Sequence, residues 1–365
     1  MGRRNNEVME FKYGSDKKTA LQAKFDAQKI AFGPIMFQAA KALRDLGILQ
    51  LIKKRKKEGI TIEEIAHELN LSIYGIKVLL EAGLSLELVM VEDGRYKLTK
   101  TGWYILSDEL TRVNMDFTHD VNYQGMFSLI DSIKTGNPTG LKVFGEWNTV
   151  YEALAQLPEQ VQNSWFAFDH FYSDYTFSEV LPLVLSDQVH HVLDVGGNTG
   201  KFAIKCAEYK DNVSVTILDH QGQLEIAIKE IEAHGFSNRI SGQALNLLDH
   251  SIPFPNGADI IWMSQFLDCF SQEDIAELLR RSKEAMTNDT SLYILETYWD
   301  KQKFEASTYC LHATSLYFTN IANGCSQMYH SNDMFKLIEK SGLYIDESYE
   351  DIGVSHTLLK CKVRQ

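Results

Sequence analysis

The hydrophobic pattern changes its period along the chain. Between about residues 20 and 110, apolar residues recur at helical spacing. Residues 37–49 read as a helix broken near Gly47, 61–69 as a second and 71–83 as a third. Thr61 caps the second helix, and Glu64 three residues on completes a capping box. Leu88 to Val91, a Glu92-Asp93-Gly94 turn and Arg95 to Thr99 then predict a β-hairpin. That order is a winged helix-turn-helix. Residues 110–187 are mostly helical and rich in aromatic side chains, most densely from Trp165 to Tyr175. An aromatic face of this kind serves equally as core or as the wall of a site for a flat apolar ligand.

From residue 188 onward short apolar runs alternate with helices, the pattern of a parallel α/β sheet. Strands are expected at 190–194, 213–219, 240–247, 258–264 and 291–297, with 344–349 and 356–363 as a closing antiparallel pair. The predicted organisation is a helical winged domain over 1–110, a helical linker and lid over 111–187, and a Rossmann-like α/β domain over 188–365.

The chemistry is concentrated at the first strand of that sheet. The run His190-His191-Val192-Leu193 ends in the acid Asp194, and Val195-Gly196-Gly197-Asn198-Thr199-Gly200 and a helix from Lys201 follow. Glycines there let the backbone turn sharply and approach a ligand. About twenty residues on, the next strand ends in Asp219, placed to accept hydrogen bonds from ribose hydroxyls. A dinucleotide fingerprint has no need of an acid such as Asp194 just before its glycines. This stretch resembles motif I of the class I S-adenosylmethionine-dependent methyltransferases, in which the acid faces the positively charged methionine end of the cofactor. Asn198 stands where that family has Gly, and Asn tolerates left-handed backbone.

Bulk properties narrow the classes. The net charge of -13 argues against a partner recognised through its phosphates. The basic run Lys53 to Lys57 falls between predicted helices, and the 72–81 recognition helix offers only Lys77 and Tyr74. Dimerisation is therefore the expected use of the winged domain. Five cysteines lie scattered without a C-x-x-C pair, so neither a disulfide framework nor a metal site is expected. No apolar run is long enough to cross a bilayer, and Met1 to Asn6 leads into no hydrophobic segment. The cytoplasm is the expected location.

Nearly the whole chain resembles one family, the dimeric small-molecule O-methyltransferases of the plant caffeate and flavonoid and bacterial polyketide and pigment type. Phe168-Asp169 sits where the family has Phe-Asn, and residues 136–145 match its Gly-x-Pro segment. Residues 263–274 match its Leu-Lys-x-x-Leu-His-Asp-Trp-Ser-Asp-Glu stretch, and Glu296 an acid that flanks the catalytic His. The resemblance implies a class I methyltransferase sheet, a homodimer and S-adenosyl-L-methionine, with S-adenosyl-L-homocysteine as product. It assigns Asp194, Gly196, Gly197, Gly200, Asp219, Asn246, Leu247 and Ser264 to the cofactor. It places Phe168, Phe171, Tyr172, His312 and Tyr329 beside the acceptor, and Asp268 and Glu296 at the chemistry.

The departures fall where the chemistry would be. Asp268 replaces the general-base His, Tyr329 the second flanking Glu, Ser264 a Lys near the adenine, and Asn246 an acid. A buried Asp268 beside Glu296 would raise the pKa of one of the two, leaving a carboxylate able to act as base. His170, His312 and His330 are substitutes. The expected reaction is methylation of a hydroxyl on an aromatic or polyene small molecule, without metal. The alternatives are a carbon or nitrogen acceptor, non-methylating chemistry on the same fold, or a non-catalytic S-adenosylmethionine-binding regulator.

Overall fold

The computed structural model describes residues 13–173 and 176–364. The leader reading of Met1 to Asn6 and the end of the aromatic run, Asp174-Tyr175, lie outside them. The chain divides into two compact units, Tyr13–Asp120 and the part from Val121 onward.

In the first unit α1 (Ala20–Ala31), α2 (Gly33–Asp45), α3 (Ile48–Arg55), α4 (Ile62–Leu69) and α5 (Ile73–Ser85) precede a hairpin of β1 (Val89–Glu92) and β2 (Arg95–Leu98). α6 (Lys100–Ser107) and α7 (Glu109–Phe117) follow. Left-handed Gly47 separates α2 from α3, and the Thr61–Glu64 capping box is formed with both hydrogen bonds. Ile60 bridges to Tyr96, which adds a short third strand to the wing. Leu43, Ile48, Ile52, Ile65, Ile76 and Leu80 are fully buried and form the core. One expectation is corrected. The basic run begins inside α3, whose last turn is Lys53-Lys54-Arg55, a placement that complements the negative C-terminal end of the helix dipole.

The second unit opens with α8 (Leu129–Thr135), α9 (Val150–Ala153), α10 (Glu159–Ser173) and α11 (Phe177–Val184). The sheet then forms from β3 (His191–Val195), α12 (Lys201–Tyr209), β4 (Ser214–Asp219), α13 (Gln221–Ala233), β5 (Ile240–Ala244) and β6 (Ile260–Ser264). α14 (Gln272–Ala285), β7 (Ser291–Glu296), α15 (Glu305–Tyr317), α16 (Ser331–Lys340), β8 (Leu343–Ile352) and β9 (His356–Val363) complete it. The strand order is β5-β4-β3-β6-β7-β9-β8. Pairing is parallel from β5 to β7 and antiparallel for β9 against β7 and β8.

Both faces of the sheet are covered, so its central strands are apolar on both sides. On one face Phe202 of α12 stacks on Trp262 of β6 with centroids 4.1 Å apart. The other face packs Leu193, Val195 and Ile261 against α14 and α16. β5 ends at Ala244, three residues earlier than expected, because the Asn246 side-chain oxygen accepts the Leu248 N–H and closes a turn. The strand order reverses direction at β3, so the crevice beyond the carboxyl ends of β3, β4 and β6 is where this architecture receives a ligand.

Candidate active site

Asp194 is the fourth residue of a strand buried on both faces, and only 2% of it is exposed. A carboxylate in such a place is costly unless something pairs with it. Its Oδ2 has no protein partner. Burial first, and the charge of Asp219 second, push its pKa up to about 8. The loop after it is shaped by glycine at two points. Gly196 has a φ of +76°, donates its N–H to the Leu218 carbonyl at 2.9 Å, and leaves no room for a Cβ beside the Phe266 ring. A Cβ on Gly197 would lie 2.7 Å from Asp194 Oδ2, inside the space that carboxylate faces. Asn198 takes left-handed backbone at φ +49° and donates its N–H to Asp219 Oδ2 at 2.8 Å. The His220 N–H reaches Asp219 Oδ1 at 2.7 Å. Each Asp219 oxygen thus keeps lone-pair capacity for a ligand diol. Burial raises the Asp219 pKa against these two backbone donors.

Gly200, left-handed at φ +78°, starts α12. Ser264 ends β6 and is half-buried. Asn246 is exposed, whereas Leu247 is buried in the core. The Leu247 carbonyl accepts a 2.7 Å hydrogen bond from Arg281, a buried side chain on α14 whose guanidinium also lies over Phe254. Arg281 therefore holds the loop that carries Asn246. It was not legible as a site-shaping residue in the sequence.

A short 3₁₀ turn, Leu267–Cys269, carries Asp268 and follows Phe266, whose ring packs on Gly196. Three side chains hold this turn by its backbone. Glu296, at the end of β7, accepts the N–H groups of Phe266 and Leu267 on Oε1 at 3.0 and 2.8 Å. Asn323 donates to the Cys269 carbonyl at 2.6 Å, and the Tyr329 hydroxyl to the Phe270 carbonyl at 2.6 Å. Tyr329 is thus buried as a support of the turn.

Asp268 itself is buried, and the Cys269 thiol donates to its Oδ1 at 3.5 Å. Burial, opposed by that thiol and reinforced by the charge of Asp169, pushes its pKa up to about 7. Glu296 is raised well above the usual carboxylate range by burial and then by Asp268. The sequence led to the Asp268–Glu296 pair but not to the share of Asp169. Tyr151, hydrogen-bonded to Cys269, and Tyr317, which accepts the Trp165 indole N–H at 2.7 Å, also surround this cluster. Both phenols are held protonated by burial.

The aromatic face of α10 is present, with the Phe168 and Tyr172 centroids 5.1 Å apart and Phe171 edge-on to Tyr172. These rings and His170 are half-buried. His312 is exposed on α15 with its ring against Trp299, which also meets His330 edge-on. His330 caps α16 by accepting the Asn332 N–H. No group of His, Cys, Asp and Glu suited to a metal ion occurs among the described residues.

The unpartnered Asp194 oxygen, the close-approach glycines and the Asp219 carboxylate fit a nucleoside ligand with a cationic tail, as S-adenosylmethionine is. Comparisons with known proteins agree. Residues 24–96 match a Dimerisation2-like domain, and residues 128–343, more than half the chain, match an O-methyltransferase domain. The L-tyrosine C(3)-methyltransferase of Streptomyces lavendulae is 25% identical over 261 residues, covering 70% of each protein. The apo structure of the S-adenosylmethionine-dependent methyltransferase SibL superposes with a TM-score of 0.71 at 23% identity, over 92% of this chain and 98% of that one. The O-methyltransferase NcsB1, solved with S-adenosylmethionine and 2-hydroxy-5-methyl naphthoic acid, gives 0.65 at 19% identity over 90% and 95%.

Proposed function

This chain belongs to the O-methyltransferase domain family and is an S-adenosylmethionine-dependent methyltransferase, and we propose that Asp268 is the base that prepares a hydroxyl of an aromatic or polyene small molecule for methylation. One observation carries the assignment. Asp268 is a buried carboxylate whose pKa lies near 7, on a turn held at four backbone atoms. A base is most effective when its pKa lies near the working pH.

The reading distributes the work as follows. Asp194 receives the cationic tail of the cofactor, the close backbone and open space at Gly196, Gly197 and Gly200 line its path, and Asp219 receives the ribose diol. Asn246, Leu247 and Ser264 bound the adenine. Bound S-adenosylmethionine supplies an electrophilic methyl on a positively charged sulfur and leaves as S-adenosylhomocysteine. Asp268 accepts the hydroxyl proton as the acceptor oxygen gains the methyl. Glu296 positions Asp268 through the turn, as Tyr329 does. Phe168, Phe171 and Tyr172 wall the acceptor, and His312 lies toward its outer edge. Holding the acceptor in line supplies on the order of 7–11 kcal/mol in favourable cases, so the base adds to orientation and does not replace it.

A second reading has its own support. The tyrosine-methylating relative acts at carbon, and a phenol deprotonated by Asp268 is nucleophilic at its ring carbons as well as at oxygen. The proposed assembly is a homodimer. In its support, α1 has no buried residue and exposes Leu21, Phe25 and Ile30, which a second copy would cover. No helix among the described residues is long and apolar enough to cross a membrane, and the proposed location is the cytoplasm.

The test is transfer of labelled methyl from S-adenosylmethionine into hydroxylated aromatic compounds by wild type and Asp268→Asn side by side. A labelled ether that the substitution weakens supports the reading. Label on a ring carbon moves it to the second reading, and equal rates remove Asp268 as the base.

A further inference from the structure

Two buried acceptors of the Gly-rich loop find no hydrogen-bond partner among the described residues. One is Asp194 Oδ2, and the other is the side-chain oxygen of Asn198, Oδ1. Asn198 is the residue at which this chain departs from motif I. Its left-handed backbone, at φ +49°, is a conformation that glycine and asparagine both meet. Backbone conformation alone does not account for the side chain. Asn70 has the same kind of backbone, at φ +52°, where it ends α4, and that residue is exposed to water. At Asn198 the oxygen is buried instead, and glycine would serve the turn without it. A buried acceptor with nothing to accept is costly, so the group calls for a partner that folding does not supply.

That partner must bring a donor. Asn198 is fixed within the cradle by its own backbone, because its N–H is spent on Asp219 Oδ2 at 2.8 Å. It directly follows Gly197, and Asp194 Oδ2 faces the space beside that glycine, where a Cβ would come within 2.7 Å of it. S-adenosylmethionine offers donors at three places, which are the ribose diol, the adenine amino group and the ammonium of its amino-acid end. The diol has one O–H on each oxygen, and the reading above gives both to Asp219. It gives the adenine to Asn246, Leu247 and Ser264. The ammonium has three N–H groups, and Asp194 Oδ2 takes one of them. The unpartnered oxygen of Asn198, in the same loop, fits a second.

We propose that Asn198 Oδ1 accepts an N–H of the cofactor's ammonium beside Asp194, so that this loop selects nucleosides whose amino-acid end carries its amino group. The inference rests on the proposed placement of that end at Asp194. A carboxylate attracts a cation from many directions, whereas a carboxamide oxygen accepts near its lone pairs. The two together fix both the position of the ammonium and the direction of the chain that leads from it to the sulfur.

The experiment is calorimetry on the full-length enzyme with three ligands. They are S-adenosylhomocysteine, its analogue lacking only the amino group, and 5′-methylthioadenosine, which lacks the whole amino-acid end. All three have an uncharged sulfur, so a sulfonium charge plays no part. Wild type is expected to bind S-adenosylhomocysteine about tenfold or more tightly than the desamino analogue. Asn198→Gly keeps the left-handed backbone and the N–H to Asp219, so an unchanged melting temperature is expected. In this variant S-adenosylhomocysteine is expected to bind about tenfold or more weakly, the loss of one hydrogen bond to a charged group. The other two ligands are expected to stay within twofold of wild type, and they report any change in the shape of the loop.

An Asn198→Gly variant that binds S-adenosylhomocysteine as wild type does overturns the proposal. Equal loss for all three ligands assigns Asn198 to the ribose or to the shape of the loop, and also overturns it. Loss shared by S-adenosylhomocysteine and its desamino analogue, but not by 5′-methylthioadenosine, moves the contact to the ligand carboxylate and has the same consequence. Asp194→Asn separates this idea from the one it rests on. If that variant binds S-adenosylhomocysteine as wild type does, the placement at Asp194 fails, and a selective loss in Asn198→Gly still stands. A wild type that does not distinguish S-adenosylhomocysteine from its desamino analogue overturns both.

Discussion

Glu296 Oε1 accepts the backbone N–H of Leu267 at 2.8 Å, one peptide before Asp268. A second bond to the Phe266 N–H makes the carboxyl group a bracket for the turn rather than a participant in proton transfer. The two roles are separable by substitution. Glu296→Gln keeps an acceptor for both N–H groups. Glu296, raised well above the usual carboxylate range by burial and by Asp268, is uncharged when Asp268 titrates, so turnover is expected to stay within tenfold of wild type with the acidic limb of kcat/KM unmoved. Glu296→Ala leaves two buried donors unpaired, at about 1–3 kcal/mol for each such group, so a lower melting temperature and turnover reduced more than tenfold are expected. An alanine variant with unchanged melting and turnover would show that the turn stands without Glu296.

Asp268→Asn is nearly the same shape and cannot accept the hydroxyl proton. Loss of a general base lowers turnover by roughly 10²–10⁴-fold, and that is the expected effect on initial rates at saturating cofactor. Cofactor affinity, measured by calorimetry, is expected to stay within threefold of wild type, because the proposed cofactor contacts are Asp194 and Asp219. A parallel loss of cofactor affinity would assign Asp268 to binding.

Two substitutions test the cradle from opposite sides. Gly196→Ala meets both the left-handed backbone at φ +76° and the Phe266 ring, so loss of measurable cofactor binding is expected. Asp219→Ala removes the carboxylate proposed to accept two ribose hydroxyl groups, each such bond contributing about 1.5–3 kcal/mol. A rise in Kd on the order of a hundredfold is expected by calorimetry. Unchanged Kd in Asp219→Ala would remove the ribose assignment.

The sequence carried the sheet and the cradle because both have local signals. β3 reads as buried from its composition, and an acid inside it, followed by Gly196-Gly197, has few structural explanations. The turn that carries Asp268 is held by residues far apart in the chain. Glu296, Asn323 and Tyr329 meet a turn at 266–270, and no periodicity links them. α15 had no clear helical signal because Thr308 and Thr314 share its buried face with Leu311 and Tyr317. Asp169 was visible as a departure from Phe-Asn, but its reach to Asp268 depends on how α10 packs. The early end of β5 turned on one side-chain hydrogen bond, Asn246 to Leu248.

The proposed pairing of Asp194 with the cationic tail makes cofactor affinity depend on pH. Its pKa is about 8, so in the free enzyme it is mostly protonated at neutral pH. Pairing with a cationic tail favours the carboxylate, so binding releases a proton below that value. Affinity is expected to rise with pH between 5.5 and 7.5, by up to roughly tenfold per unit. Calorimetry in buffers of different ionisation enthalpy checks the release directly. Proton uptake, or affinity flat over that range, would place the cationic tail elsewhere. Asp194→Asn is expected to bind weakly and without the pH dependence.

His356, at the start of β9, gives the fold its own acid sensitivity. The side chain is fully buried, and desolvation lowers its pKa to about 4 against the partial opposition of the Ile352 backbone. The unfolded chain has an ordinary histidine near 6.5. Between those two values the unfolded state binds the extra proton, so stability rises with pH through this window. The contribution is complete above about pH 6.5 and is lost as pH falls toward 4, with a full span of about 3 kcal/mol. The raised carboxylates Asp194 and Asp268 act in the opposite sense, and comparison with a variant that retains them isolates the histidine. The stability difference between wild type and His356→Gln, from urea midpoints, is therefore expected to move against wild type by about 3 kcal/mol from pH 7 to pH 4. A difference that does not change with pH would mean that His356 is charged inside the folded protein.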